Sequence, residues 1–203
     1  MFADFRNPVQ IITKNGLVTR DADLLAELAE HEAASVCLSV TTLDPQLHRI
    51  MEPRTSHPTQ RLEAIEALAR AGVPVGVMVA PIIPAINDHE VPAILRAAAD
   101  AGAGFAGHVV LRLPHGVKDL FSAWLERHFP ERRDKVLSKL RAVRGGRLND
   151  PSFGSRMKGA GVFADQIHDL FELSRRKAGI ATRGPTLSTA AFRKPGDSQL
   201  HLF

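Results

Sequence analysis

The residues best suited to chemistry in this sequence stand where apolar runs end. VQIIT, Val9 to Thr13, gives way to Lys14, a cation. SVCLSVT, Ser35 to Thr41, contributes the hydroxyls of Ser39 and Thr41, and Thr42 follows. VGVMVA, Val75 to Ala80, meets Pro81 and then Pro84, which have no N–H to continue a ladder, so the carbonyls before them, that of Ala80 included, are left to accept from another donor. HVVLRL, His108 to Leu113, carries Arg112 and leads to His115, and MEPR, Met51 to Arg54, adds a further guanidinium. A cation, hydroxyls, a carbonyl and an arginine gathered at strand ends suit the binding of a polar ligand. Taken singly, Lys14 or Arg54 fits a surface ion pair equally well, Ser39 a bond to backbone, Ala80 simple packing and His115 a structural role. The signal lies in their convergence.

That convergence needs a parallel sheet. The four runs are apolar almost throughout, as strands covered on both faces are, and they alternate with segments of helical period. Asp21 to Glu32 aligns Leu24, Leu25 and Leu28, while His57 to Gly72 aligns Leu62, Ile65, Leu68 and Ala69. Asp88 to Gly102 repeats the scheme, with Pro92 tolerable in a first turn. The order β-α-β-α-β-α-β has crossovers long enough for parallel strands, and ligands of such sheets collect at the C-terminal strand ends. No Gly-rich phosphate loop follows a strand, which disfavours a dinucleotide-binding sheet and leaves part of a (β/α) barrel as its rival. After Leu113 the pattern turns helical, over Gly116 to Phe129, Glu131 to Arg144 and Val162 to Gly179, with a glycine-containing loop from Arg144 to Gly161.

The bulk composition is that of a globular protein: 203 residues, 44% hydrophobic and 24% charged. Neither a membrane span nor a signal peptide is evident, which points to the cytoplasm. The net charge of +4 hides an asymmetry, because residues 1–110 carry a net −5 and residues 111–203 a net +9. The basic clusters Glu131 to Arg147, Gly154 to Gly159 and Ser174 to Gly179 suit phosphate contacts as well as they suit a solvated helix face. The nine histidines form no HxxxH or HxH pair, and the one cysteine, Cys37, permits no thiolate metal cage. An ordinary small-molecule enzyme finds no support in a nucleophile elbow, metal motif or phosphate loop.

The set IITKNGLVTRDADLL, SVTTLD, MEPR, RLEAIEALARAGVPVGVMVAPIIPAIND and RLPHGVKDLFSAWLERHFP, with RGGRLNDPSFGSRMKG, resembles the radical S-adenosylmethionine proteins. The likeness is strongest to the DNA repair photolyase-like group, relatives of spore photoproduct lyase. The resemblance implies an α/β fold, a partial TIM-like barrel with about four of its six βα strands in this chain. It implies reductive cleavage of S-adenosylmethionine at a [4Fe-4S] cluster to give a 5′-deoxyadenosyl radical. Lys14 and Ser39 match positions that contact S-adenosylmethionine, and Ala80 matches one that does so through its main chain. Arg54 is a further candidate, its guanidinium suited to the methionine carboxylate. Ala85 departs from the glycine of the family's PxxPGxND pattern, a residue suited to positive φ.

The larger departure is the cluster loop. The family holds its cluster with a C-x3-C-x2-C loop, and this sequence has only Cys37, inside a strand run. The expectation is therefore the C-terminal portion of such a lyase-like enzyme, inactive alone, with its first two βα units missing; the alternative origin, a natural degenerate form, is disfavoured because a four-stranded remnant exposes an edge strand and an unfilled core. Its organisation reads as a partial barrel over 1–115, a helical basic extension over 116–182 and a flexible tail over 183–203. The alternative is a noncatalytic module that binds nucleic acid, DNA by the family's example, or a partner protein. The last residues supply a candidate partner: QLHLF, with Gln199, Leu200, Leu202 and Phe203, resembles the peptide by which bacterial replication and repair proteins bind the DNA sliding clamp. The competing reading has the same residues fold back on this protein's own core.

Overall fold

The computed structural model describes residues 1–149 and 159–193. Its centre is a four-stranded sheet in the order β1 (Val9–Thr13), β2 (Ala34–Ser39), β3 (Val75–Ile82), β4 (Phe105–Val110), and every neighbouring pair is parallel. The connections run through α2 (Ala22–Ala29), α4 (Pro58–Arg70) and α5 (Val91–Asp100). Each starts with local chemistry that favours it. In α4, the His57 side chain accepts from the backbone N–H of Thr59 while Gln60 reaches back to the His57 N–H, and Pro58 occupies the first helical position.

Register assigns the two faces of the sheet. Gln10 pairs with Ser35 and Ile12 with Cys37, Cys37 pairs with Gly76 and Ser39 with Met78, and these in turn align with Phe105 and Gly107. On this face a methyl group at Gly76 would lie 2.4 Å from the Phe105 ring, so glycine there is a packing requirement. The alternate residues Val36, Leu38, Val40, Val75, Val77, Val79, Ala106 and Val110 form the main core under α2, α4, α5 and α8 (Val162–Lys177). Burial of these Val and Leu side chains, at about 1.5–3 kcal/mol each, dominates the fold's stabilisation.

Three elements depart from the sequence expectation. The fourth strand begins at Phe105 and ends at Val110, three residues ahead of the expected His108 to Leu113. The ladder with β3 breaks register between Val79 and Ile82, and Leu113 leaves to enter a second core with Leu47, Ile83, Leu125 and Leu140. α1 (Phe2–Phe5) and α3 (Pro45–Met51) are too short to show a period; α3 is started by Asp44, whose side chain accepts from the Gln46 N–H. Helices α6 (Val117–His128) and α7 (Arg133–Val143) sit over the second core, inside the expected spans.

The described part of the segment after α8, through residue 193, forms no helix and only one bridge, yet it is tied down along the N-terminal end of the sheet. Ala181 bonds to Gly104 and Ala106 beside β4, the Ser188 N–H donates to Glu32 O, and the Arg193 N–H donates to Phe5 O at 2.8 Å. The strap thus crosses from β4 to α1. The candidate clamp peptide, Gln199 to Phe203, lies outside the described residues.

Candidate functional site at the strand ends

The C-terminal ends of β1, β2 and β3 converge on one carbonyl. Ala80 O accepts from Lys14 Nζ at 3.1 Å and from Ser39 Oγ at 3.0 Å, and Thr41 Oγ1 stands 2.8 Å away. Three of the four cofactor-binding candidates from sequence, Lys14, Ser39 and Ala80, are therefore brought together, the first two on the carbonyl of the third. The carbonyl expected to stand free is engaged by side chains from the neighbouring β2 and its C-terminal end and by Lys14, which follows β1.

A carboxylate organises the cations. Glu52 Oε1 pairs with Lys14 Nζ and lies 2.8 Å from Thr41 Oγ1; Glu52 Oε2 accepts from Arg61 Nη2 at 2.7 Å. Thr41 Oγ1 accepts from Lys14 at 2.7 Å, so its single proton serves either Glu52 or Ala80 O. Arg61 is 1% exposed and also donates to Ser39 O at 2.7 Å and to Ser56 O at 2.8 Å. It fixes the end of β2 to the turn after α3. Burial alone pushes the Glu52 carboxyl up, but the hydrogen bonds and charges of Lys14 and Arg61 together outweigh it and hold the group below its ordinary value. Burial lowers the Lys14 ammonium, opposed by its bond to Glu52.

The loop after β3 is fixed in the same way. Asn87, 2% exposed, accepts from the Ile83 N–H at 2.6 Å and donates to Thr41 O at 2.7 Å and Pro81 O at 3.0 Å. The Ala80–Pro81 peptide is cis, and Ala85 takes φ +66°, the conformation for which glycine is suited. Arg54 does not join this network: it is exposed on the turn after α3 and makes no hydrogen bond or ion pair among the described residues. Its neighbour Glu52, in the same MEPR, is the member that does. The signal for Glu52 was an acidic residue between two candidate cations; Arg61 gave none, being one arginine on a helix.

Lys14, the Ser39 and Thr41 hydroxyls and the Ala80 carbonyl offer one cation, two donor–acceptors and an acceptor in one place, a set that fits the amino-acid end and hydroxyls of S-adenosylmethionine. A cubane cluster does not fit. The single cysteine is 2% exposed within β2, and burial pushes its thiol up to about 12, far from the thiolate that iron requires. Among the described residues no group of three or more His, Cys, Asp or Glu side chains is placed to hold a metal ion.

Residues 3–98 match the radical SAM superfamily. The match spans β1 through most of α5, and so contains the whole Lys14–Glu52–Ala80 network. An uncharacterised protein of Mycobacterium tuberculosis is 35% identical over 154 residues, covering 74% of this chain and 44% of the relative. One of Methanocaldococcus jannaschii is 31% identical over 87 residues, 43% of this chain and 32% of its own length. The chain thus spans less than half the length of these relatives. Among solved structures, spore photoproduct lyase complexed with dinucleoside spore photoproduct superposes with a TM-score of 0.59 at 18% identity, over 86% of this chain and 50% of the lyase. At that identity the likeness is one of fold: a four-stranded parallel sheet flanked by helices, consistent with a partial α/β barrel plus a helical extension. No helix among the described residues is long and apolar enough to cross a membrane.

Proposed function

We propose that this chain supplies the C-terminal part of the S-adenosylmethionine site of a radical SAM enzyme and, lacking cluster ligands, does not cleave the cofactor by itself. The observation that carries the reading is the joining of Lys14, Ser39, Thr41 and Ala80 at three consecutive strand ends, braced by Glu52 and Arg61. Lys14 would meet the carboxylate of the methionyl group, and Ser39, Thr41 and the Ala80 carbonyl its polar groups. Arg54, exposed nearby in sequence, is a further donor for the carboxylate. The open edge of β1, where Ile12 is 59% exposed, together with coverage of about half of the relatives, supports a larger parent protein that completes the barrel.

Equilibrium dialysis with S-adenosylmethionine tests the reading. The chain is expected to bind it saturably, and Lys14→Ala to weaken binding by about tenfold to a hundredfold, the worth of one charge-assisted hydrogen bond. Absence of binding, or equal binding by Lys14→Ala, contradicts it. Anaerobic incubation with iron and sulfide should give no cluster absorbance, and 5′-deoxyadenosine formed by these 203 residues alone would overturn the second clause.

A second reading, a DNA-associated role, is favoured by the net +9 of residues 111–203 and by the dinucleoside spore photoproduct bound by the lyase of like fold. Clamp docking through Gln199, Leu200, Leu202 and Phe203 rests on sequence alone. Binding to duplex DNA that weakens steeply with salt, and capture of a sliding clamp that is lost with residues 199–203, would support it.

A further inference from the structure

A cleft of about 600 Å³ lies beside the strand-end network but shares none of its residues. One wall comes from the barrel: α3 with Leu47 and Ile50, and the turn after β3 with Ile86 and His89. The other comes from the helical extension: His128 and Phe129 at the end of α6, and Arg132 just before α7. Its size falls in the range of small-ligand sites, and its position on the C-terminal rim of a parallel sheet is where such sites form.

The polar groups around it are unequally committed. Both Glu90 oxygens are engaged, accepting from Thr42 Oγ1 at 2.6 Å and from the Leu43 N–H at 2.7 Å, while Asp44 is exposed and one of its oxygens accepts from the Gln46 N–H at 2.8 Å. His89, His128 and Arg132 are exposed, and their side chains make no hydrogen bond or ion pair among the described residues. The apolar lining is Leu47, Ile50, Ile86 and the ring of Phe129. Trp124 is not part of the lining but backs it, 5.4 Å from the rings of His128 and Phe129, and is anchored by its indole N–H to Ile50 O at 3.1 Å. Side-chain donors without partners beside one phenyl ring and an aliphatic wall suit an anion attached to a flat ring, the combination found where single-stranded nucleic acid is bound.

We propose that this cleft binds a nucleoside phosphate, with the base against Phe129 and the phosphate at Arg132, His89 and His128. The ligand is either a free nucleotide or one unit of a strand, and the site is independent of S-adenosylmethionine binding at Lys14.

Trp124 is the only tryptophan, and it touches two lining residues, so its fluorescence reports occupancy. Thymidine 5′-monophosphate is the probe, chosen because it lacks the adenine of S-adenosylmethionine, with equilibrium dialysis as the independent measurement. Saturable quenching is expected, with thymidine and inorganic phosphate each binding about tenfold more weakly or worse. Arg132→Ala should weaken the monophosphate by about tenfold or more, while Lys14→Ala leaves it unchanged. Tighter binding of a short oligothymidylate assigns the site to a strand; equal or weaker binding assigns it to a free nucleotide. Failure of both ligands to bind in dialysis, or wild-type affinity in Arg132→Ala, overturns the proposal whatever the outcome with S-adenosylmethionine.

Discussion

Glu52 holds two cations of unequal burial, Lys14 with its side chain 32% exposed and Arg61 at 1%. Its folded-state pKa lies below the ordinary 4.5, so its contribution to stability is full above that value and drains away as pH falls through the lower folded one. Urea unfolding from pH 7 downward should therefore show wild type losing more stability in acid than Glu52→Gln; parallel curves would contradict the assignment. At neutral pH the same substitution removes the counter-charge of a buried arginine and should cost about 3 kcal/mol. Residue chemistry of this kind was only half visible in the sequence. Lys14 and Ser39 announced themselves by following apolar runs, whereas Arg61 shares the stripe of Ile65 and Leu68, and only the fold shows that its guanidinium is inside.

Elements meet the site through the loop after β3. Asn87 fastens this loop to β2, and the chain turns at Ala85 with φ +66°, a conformation that costs L-residues about 1–2 kcal/mol and β-branched ones more. Ala85 also packs against the second core, so removing its methyl group offsets the relief of strain. Ala85→Gly is accordingly expected to change stability by less than about 1 kcal/mol, and Ala85→Val to destabilise by about 2 kcal/mol or more, read from denaturant midpoints. Equal tolerance of both would show that the turn relaxes. The need for positive φ was legible by comparison with the family pattern; the end of β4 was not. HVVLRL keeps its leucines to Leu113, and nothing local says that Leu111 and Leu113 belong to another core.

On the scale of the whole molecule, the described sheet has one protected margin and one open one. Beyond β4 lies the bridge at Ala181, and the strap runs on beneath the sheet, while β1 has no strand on its outer side among the described residues. Ile12 stands on that edge strand, 59% exposed, which makes β1 the expected surface for self-association or for strand addition by another segment. Ile12→Lys should raise the monomeric fraction in analytical ultracentrifugation at high protein concentration while leaving the unfolding midpoint nearly unchanged. An unaltered distribution would mean that the edge is not used.

The sequence by itself determined the alternation of strand and helix, the parallel sheet and the strand-end positions of Lys14, Ser39 and Ala80, because apolar runs and helical periods are local patterns. It also excluded a thiolate-held cluster, since one cysteine cannot supply three ligands. Tertiary structure alone decided that Glu52 rather than Arg54 joins those residues, that Arg61 is buried and that the segment after α8 crosses to α1. Each of these depends on groups far apart in the chain meeting where water is excluded. In that setting hydrogen-bond geometry and desolvation, neither of which has a sequence period, select the partner.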